Sequence, residues 1–258
     1  MKLMINGRNL EGKRTGVGRY LANLLDIWST EDNQNTYDVY FKNEIPADTF
    51  LKNQNIATHL IPNPKHLDVG PLWENFYLPR ALSKNQEADV YFTSNYTLPL
   101  LPVSAKQVVT IFDISYIAHP EWFPKRQLAS LVPLTGPTVR KADVILTGSM
   151  ATKNEILKYY DIDDQKIKVT NLGIDDRFLT LDKTQGDIES ARVTDKYKLK
   201  GKVVLFVGLL MNRRNVPQLM EAVANVIKAT GEVITPVSYT HLRAHETVLD
   251  LVCRLLLE

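Results

Sequence analysis

The chain has 258 residues, 31 Lys and Arg against 29 Asp and Glu, and one cysteine. At about 100–200 residues per domain this is one large domain or two ordinary ones, and a hydrophobic fraction of 44% is enough for a sizeable core. Disorder, collagen, coiled coil and a disulfide-stapled scaffold are excluded, and a formal charge of +2 leaves no footprint for nucleic acid.

The first strand is residues 1–5, followed by a loop with Gly7, Gly12, Gly16 and Gly18. A helix begins near Gly18 and puts Leu21, Leu24, Leu25 and Trp28 on one buried face. Residues 36–41 and 58–61 read as strands, and 72–82 as a helix despite Pro79. Apolar runs at 90–92, 108–112, 144–146, 169–172 and 203–207 suit strands buried on both faces. Between them, 151–160 is a clear helix, whereas Pro133, Gly136 and Pro137 predict a kinked or broken helix over 124–141. The alternation predicts an α/β fold with a doubly wound parallel sheet. The polar stretch 182–200 reads as a connector into a second unit, which opens with strand 203–207, a loop led by Gly208, and a helix. That helix starts at Asn215 and Pro217 and carries Leu219, Val223, Val226 and Ile227 on one face.

The last residues, VSYTHLRAHETVLDLVCRLLLE, resemble codon by codon the translation of a sequencing-library adaptor. A natural amphipathic helix with Leu249, Val252, Cys253 and Leu256 at helical spacing is the alternative. Setting the segment aside removes Cys253 and the His241/His245 pair, so no metal signature remains. The expected organisation is an N-terminal domain over 1–198, the start of a second domain over 199–235, and a non-native tail over 236–258. With no apolar run of bilayer-spanning length and a start, MKLMINGRNLEGKR, unlike a signal peptide, a cytoplasmic protein is expected.

Three stretches together resemble the family 4 retaining glycosyltransferases, two-domain enzymes of the GT-B fold, and among them the mannosyltransferase-B-like enzymes of polysaccharide assembly. The first is GKRTGVGRYLANLL; the second runs from VVTIFDISYIAHPEWFPKR through RKADVILTGSMATKNEIL to KIKVTNLGIDDRF; the third is VGLLMNRRNVPQLMEAV. The resemblance implies two Rossmann-like domains, the first binding the acceptor and the second the nucleotide sugar. It implies a nucleotide sugar as substrate rather than a resident cofactor, and a glycan or lipid-linked acceptor. Peripheral association with the inner membrane face would then come through the acceptor.

Gly16-Val17-Gly18 lies between a strand and a helix, where backbone amides and the helix dipole can face a diphosphate. A tight turn needing positive φ is the plainer use of such glycines, and Arg19 is then either a phosphate ligand or solvated. By the resemblance, Arg213 and Arg214 stand where the family has an Arg-Lys pair, and Arg214 matches the cation that stabilises the leaving diphosphate. Met211-Asn212 replaces the usual Glu-Pro before them. Asp113 matches the acid at a strand end that orients a sugar, with Phe112 in place of the usual His. Ser149 matches a family Ser near the crevice, with Met150 replacing its Glu neighbour; Asn95 matches a loop facing the acceptor, and His119 lies nearby in sequence.

Two other classes compete. An NAD-binding Rossmann domain wants GxGxxG, but Gly16-Val17-Gly18 continues as Arg19-Tyr20-Leu21. A non-catalytic sugar- or nucleotide-binding relative is favoured by Phe112, Met150 and Met211 at family polar positions.

Overall fold

The structure is a computed structural model, and it describes residues 1–63, 70–174, 182–208, 210 and 214–239. It divides into two compact units, Met1–Leu172 and a second beginning at Gly173. The sequence boundary at 198/199 lies later, because the polar stretch read as a connector is itself a helix, Lys183–Tyr197, that buries none of its residues.

The first unit is a seven-stranded sheet in which every pairing is parallel. In chain order its strands are β1 (Lys2–Asn6), β2 (Thr36–Phe41), β3 (Ile56–Leu60), β4 (Val90–Thr93), β5 (Lys106–Thr110), β6 (Val144–Thr147) and β7 (Ile167–Val169), and their spatial order is β3-β2-β1-β4-β5-β6-β7. The chain leaves β1 toward β2 and β3 and returns to its other side with β4. The carboxyl ends of β1 and β4 therefore flank the topological switch point, where open α/β sheets hold their ligands.

Alternation along a pleated strand sends successive side chains to opposite faces, and both faces are covered. Ile5 joins Leu10, Leu21, Leu25, Val39, Phe41 and Phe92 on one side, under helix α1 (Gly16–Glu31). Met4 joins Trp73, Leu78, Leu82, Tyr91, Val109, Ile111 and Val139 on the other. Removing a buried leucine such as Leu25 from a layer of this kind costs about 2–5 kcal/mol.

Several boundaries differ from expectation. β5 begins on Lys106 and Gln107, because its ladder with β4 starts at Val90↔Lys106, and apolarity marks only the inner part of the strand. β7 is Ile167–Val169 rather than 169–172: Ile167 pairs with Ile145 and Val169 with Thr147, while Leu172 lies past the ladder and is exposed. The helix α2 is composite, with α-helical turns at Gly70–Leu72 and Leu78–Leu82 around a π-helical turn at Trp73–Tyr77. The wide turn lies directly upstream of Pro79, whose ring would clash with an α-helical carbonyl four residues back.

After the short helix α3 (Ser115–Ala118) comes α4, Lys125–Lys141; of the kink or break expected at its prolines, it shows no break. Pro133 and Pro137 lie inside a continuous helix whose buried side includes Thr135, Gly136, Thr138 and Val139. Tertiary hydrogen bonds hold it: Tyr116 Oη lies 2.9 Å from Thr135 Oγ1, and Thr138 Oγ1 accepts from the Leu98 amide at 3.0 Å. The unit continues with α5 (Met150–Tyr159).

The second unit contains α6 (Lys183–Tyr197), β8 (Lys202–Val207), α7 (Val216–Thr230) and β9 (Ile234–Tyr239), with β8 and β9 paired in parallel. Val204, Phe206, Leu219, Met220 and Pro236 line the space between this ribbon and α7, whereas Val203, Leu205, Val207 and Tyr239 are exposed. Val237, Ser238 and Tyr239, which the sequence reading set aside, complete the ladder opposite Leu205, Phe206 and Val207. Residues 240–258 lie outside the described residues.

Candidate functional site

The loop from β1 to α1 is pinned at several points. The Gly7 amide donates to Tyr40 O at 2.8 Å, Arg14 Nη1 donates to Asp48 at 3.0 Å, and Glu11 accepts from Asn43. The chain then enters α1 through Thr15, whose side chain makes no capping hydrogen bond. Gly16-Val17-Gly18 is not a loop before the helix but its first turn. Neither glycine has positive φ, so the turn explanation for them was wrong. The first amides of a helix have no intrahelical acceptor, and they carry the positive end of its dipole. The two glycines differ in surroundings. A Cβ at Gly16 would meet nothing within 4 Å, whereas one at Gly18 would sit 2.2 Å from Asn9 O. Gly18 is required by the close approach of the loop, and Gly16 leaves the first turn bare. Arg19 is exposed on the same turn.

A polar network fills the switch point. Glu74, on the π-helical turn of α2, accepts from Arg8 Nη1 at 2.7 Å and from the Asn95 side-chain amide. Arg8 follows β1, and its amide donates to Asn6 Oδ1 at 3.1 Å. Across the gap, Asn9 Nδ2 donates to Ser94 Oγ at 3.3 Å, tying the end of β1 to the end of β4. A Cβ at Gly70 would come within 2.3 Å of Arg8 Nη2, so that glycine makes room for the guanidinium. Burial pushes the Glu74 carboxyl up, opposed by the Arg8 charge and by hydrogen bonds from Arg8, Asn6 and Asn95.

Beside this network lie three aromatic rings. Tyr20 of α1 meets Phe112 edge to face at 5.1 Å, and Tyr96 lies 5.9 Å from Phe112. The Phe112 carbonyl accepts from Thr152 Oγ1 at 3.0 Å, which links the end of β5 to α5.

Asp113, just past β5, accepts from the Ser115 amide at 3.1 Å and its hydroxyl at 2.5 Å, and so holds the start of α3. Ser149, just past β6, caps α5 by accepting from the Thr152 amide at 3.2 Å. The Gly16–Gly18 turn, Asn95, Asp113 and Ser149 follow β1, β4, β5 and β6, four adjacent strands, at one carboxyl edge. His119 is exposed beyond α3, stacked on Trp122 at 4.0 Å and 3.2 Å from Glu121 Oε1. Among the described residues its side chain meets Trp122 and Glu121, outside the switch-point network.

No family model matches the chain. It is 26% identical over 233 residues to the O-antigen chain mannosyltransferase B of Escherichia coli, a match covering 86% of this chain and 59% of that protein. It therefore spans about three fifths of the curated relative. Among solved structures it resembles WaaG, a glycosyltransferase involved in lipopolysaccharide biosynthesis, with a TM-score of 0.59 and 13% identity over 92% of this chain and 63% of that one. It also resembles Anabaena HepE in complex with UDP and glucose, with a TM-score of 0.52 and 16% identity over 94% of this chain and 69% of that one. The chain has the GT-B-type Rossmann-like fold of these glycosyltransferases.

Arg214 is exposed and directly precedes Asn215, the residue that enters α7 with φ of 49°. Arg213, Met211 and Asn212 lie outside the described residues. Among the described residues no cluster of three His, Cys, Asp or Glu is placed to hold a metal, and no helix is long and apolar enough to cross a membrane. A hollow lined by Ile27, Trp28, Glu31 and Asp32 lies at the far end of α1, away from the carboxyl edge.

Arg8, Glu74, Tyr20 and Tyr96 were missed in the sequence. Tyr20 lies inside the quoted GVGRY and Tyr96 beside Asn95, so proximity to motif residues was the available signal. Arg8 and Glu74 meet only once the strand order is known.

Proposed function

We propose that the chain is the acceptor-side part of a retaining glycosyltransferase that moves a hexose from a nucleotide sugar to a glycan or lipid-linked acceptor in polysaccharide biosynthesis. Mannose is the sugar favoured by the name of the E. coli relative. One observation carries the reading: a bare helix start, a partly buried Arg8–Glu74–Asn95 network and the residue pair Phe112–Asp113 meet at the carboxyl edge beside one switch point. The α1 amides face the donor diphosphate, and Arg213 and Arg214 neutralise charge on it as the sugar leaves. Asp113 orients a sugar hydroxyl, while Asn95, Ser149 and His119 serve the acceptor side. The sugar donor is the substrate, and no metal or resident cofactor enters the scheme. The work is done at the cytoplasmic side of the membrane.

Residues 1–258 alone are proposed not to turn over. Their described second unit offers two strands and the helices α6 and α7, and positioning of both reactants can account for about 7–11 kcal/mol of barrier. The test is transfer from UDP- and GDP-sugars to a mannose-terminated acceptor, by this chain and by a chimera in which the second unit of the E. coli relative follows residue 207. The proposal expects acceptor-dependent nucleotide release with retained anomeric configuration from the chimera and none from 1–258. Inverted product, or turnover by 1–258, would contradict it.

A second reading, a non-catalytic binding module, is favoured by one feature. Asp113 and Ser149 both direct side-chain oxygens to helix starts. Tight saccharide binding with no transfer by any chimera would select it.

A further inference from the structure

The loop after β4 contains a strained turn that the scheme above does not use. The Thr97 amide donates to Asn95 O at 2.7 Å, and Tyr96 between them has φ of 63°. A two-residue hydrogen-bonded turn with positive φ at its centre is the rare, unfavourable form of the γ-turn. Glycine would occupy this position without strain, yet the chain places a tyrosine there, so the ring is retained against a backbone cost. Strain of this kind concentrates where a side chain must be held for a ligand.

The ring's surroundings are built for one chemistry. Tyr96, Phe112 and Tyr20 form a partly buried aromatic cluster, and Tyr20 Oη lies within 3.5 Å of Thr110 Oγ1, which fixes it over the end of β5. Next to it in the chain, Asn95 is gripped by Glu74, which also holds Arg8. Glu74 sits on a π-helical turn, a rare geometry that often marks functional sites. An aromatic wall thus adjoins a polar wall of amide and guanidinium donors. A hexopyranose presents the matching pair of surfaces: one face of C–H groups, slightly positive and suited to a ring's electron-rich face, and a rim of hydroxyls that need directed hydrogen bonds.

We propose that Tyr96, Phe112 and Tyr20 form a stacking platform for the acceptor's terminal hexopyranose, with Glu74 as the positioning residue that sets Asn95 and Arg8 against its hydroxyls. The proposal rests on the transferase reading and adds the acceptor subsite to it. The aromatic residues make the sugar lie flat across the ends of β4 and β5, and the polar residues select which hydroxyl pattern fits.

The test is saturation-transfer NMR on residues 1–258, irradiating aromatic protons in the presence of methyl mannopyranoside and a mannose disaccharide. The expected result is transfer to the C–H protons of one pyranose face. Tyr96→Gly is expected to weaken binding tenfold or more while its amide spectrum remains that of a folded chain, since the lost ring packing is partly offset by relief of the positive φ. Tyr96→Phe is expected to bind within threefold of the parent. Absence of transfer in the parent chain, or unchanged binding by Tyr96→Gly, would overturn the platform. Equal loss in Tyr96→Phe would also overturn it, because the hydroxyl and not the ring would be responsible. Failure of the platform leaves the transferase reading standing if the chimera transfers sugar. Saccharide binding at Tyr96 without any chimera activity keeps the platform and removes the transferase reading.

Discussion

Gly16 and Gly18 stand two residues apart in one motif, but the chain needs them for different reasons. Gly18→Ala would drive a methyl group into Asn9 O, which is backbone and cannot swing aside. It is expected to destabilise the first unit by about 1–3 kcal/mol, the range for overpacking. Gly16→Ala meets open space and ordinary helical backbone, so it should unfold within about 0.5 kcal/mol of the parent chain. Chemical denaturation of both variants checks the pair. Equal loss in both would mean that the loop at Asn9 does not approach α1 as described.

Glu74 supplies a second test at this scale. Burial raises its folded-state pKa above the ordinary glutamate value of about 4.3, so the folded protein takes up a proton more readily than the unfolded chain. Stability contributed by that group is complete below the unfolded value and declines as pH rises through the folded one. Glu74→Gln removes this dependence. The stability difference between parent and variant should therefore shift toward the parent as pH falls from neutrality through the raised folded value to about 4.3. A difference independent of pH would show that Glu74 is not held in a desolvated site. The network itself was not readable in the sequence. Arg8 and Glu74 are 66 positions apart, and neither lies at motif spacing. Tyr96 is hidden for another reason: its γ-turn uses a residue type that turn chemistry would not select.

At the scale of elements, apolar runs located the inner strands well, because a strand buried on both faces has no polar face to confuse the pattern. They failed at strand ends, where β5 begins with Lys106 and Gln107. Helix α4 shows local propensity meeting tertiary contacts. Two prolines argued for a kink or a break, and with the bonds to Tyr116 and Leu98 the helix runs through both without breaking. The cost of those prolines remains in the helix. Pro133 is exposed, so Pro133→Ala, which restores a donor without opening a cavity, should raise thermal stability by about 1–3 kcal/mol. A drop would mean that the helix depends on the proline's shape. In the second unit, deleting residues 237–258 removes Val237, Ser238 and Tyr239 from the ladder with β8. Amide exchange over β8 should then quicken, while saccharide binding by the first unit stays unchanged within error. Loss of saccharide binding would contradict the reading of this segment as functionally inert.

For the whole molecule, the account rests on a division of labour. The first unit gathers the Gly16–Gly18 turn, Asn95, Phe112 and Asp113 at one edge of one sheet, and the second carries Arg214 before α7. The parallel fold and the GT-B resemblance were legible because they depend on the order of strands, helices and motifs. The chemistry of the crevice was legible only in part, since it depends on which strands become neighbours. The most direct measurement is a backbone amide chemical-shift titration of residues 1–258 with a mannose-terminated oligosaccharide. The account predicts shifts clustered at 8–10, 16–20, 94–97 and 112–115, with the amides of β8 and α7 unmoved. Shifts confined to β8, α7 and β9, or no response at saturating oligosaccharide, would contradict it.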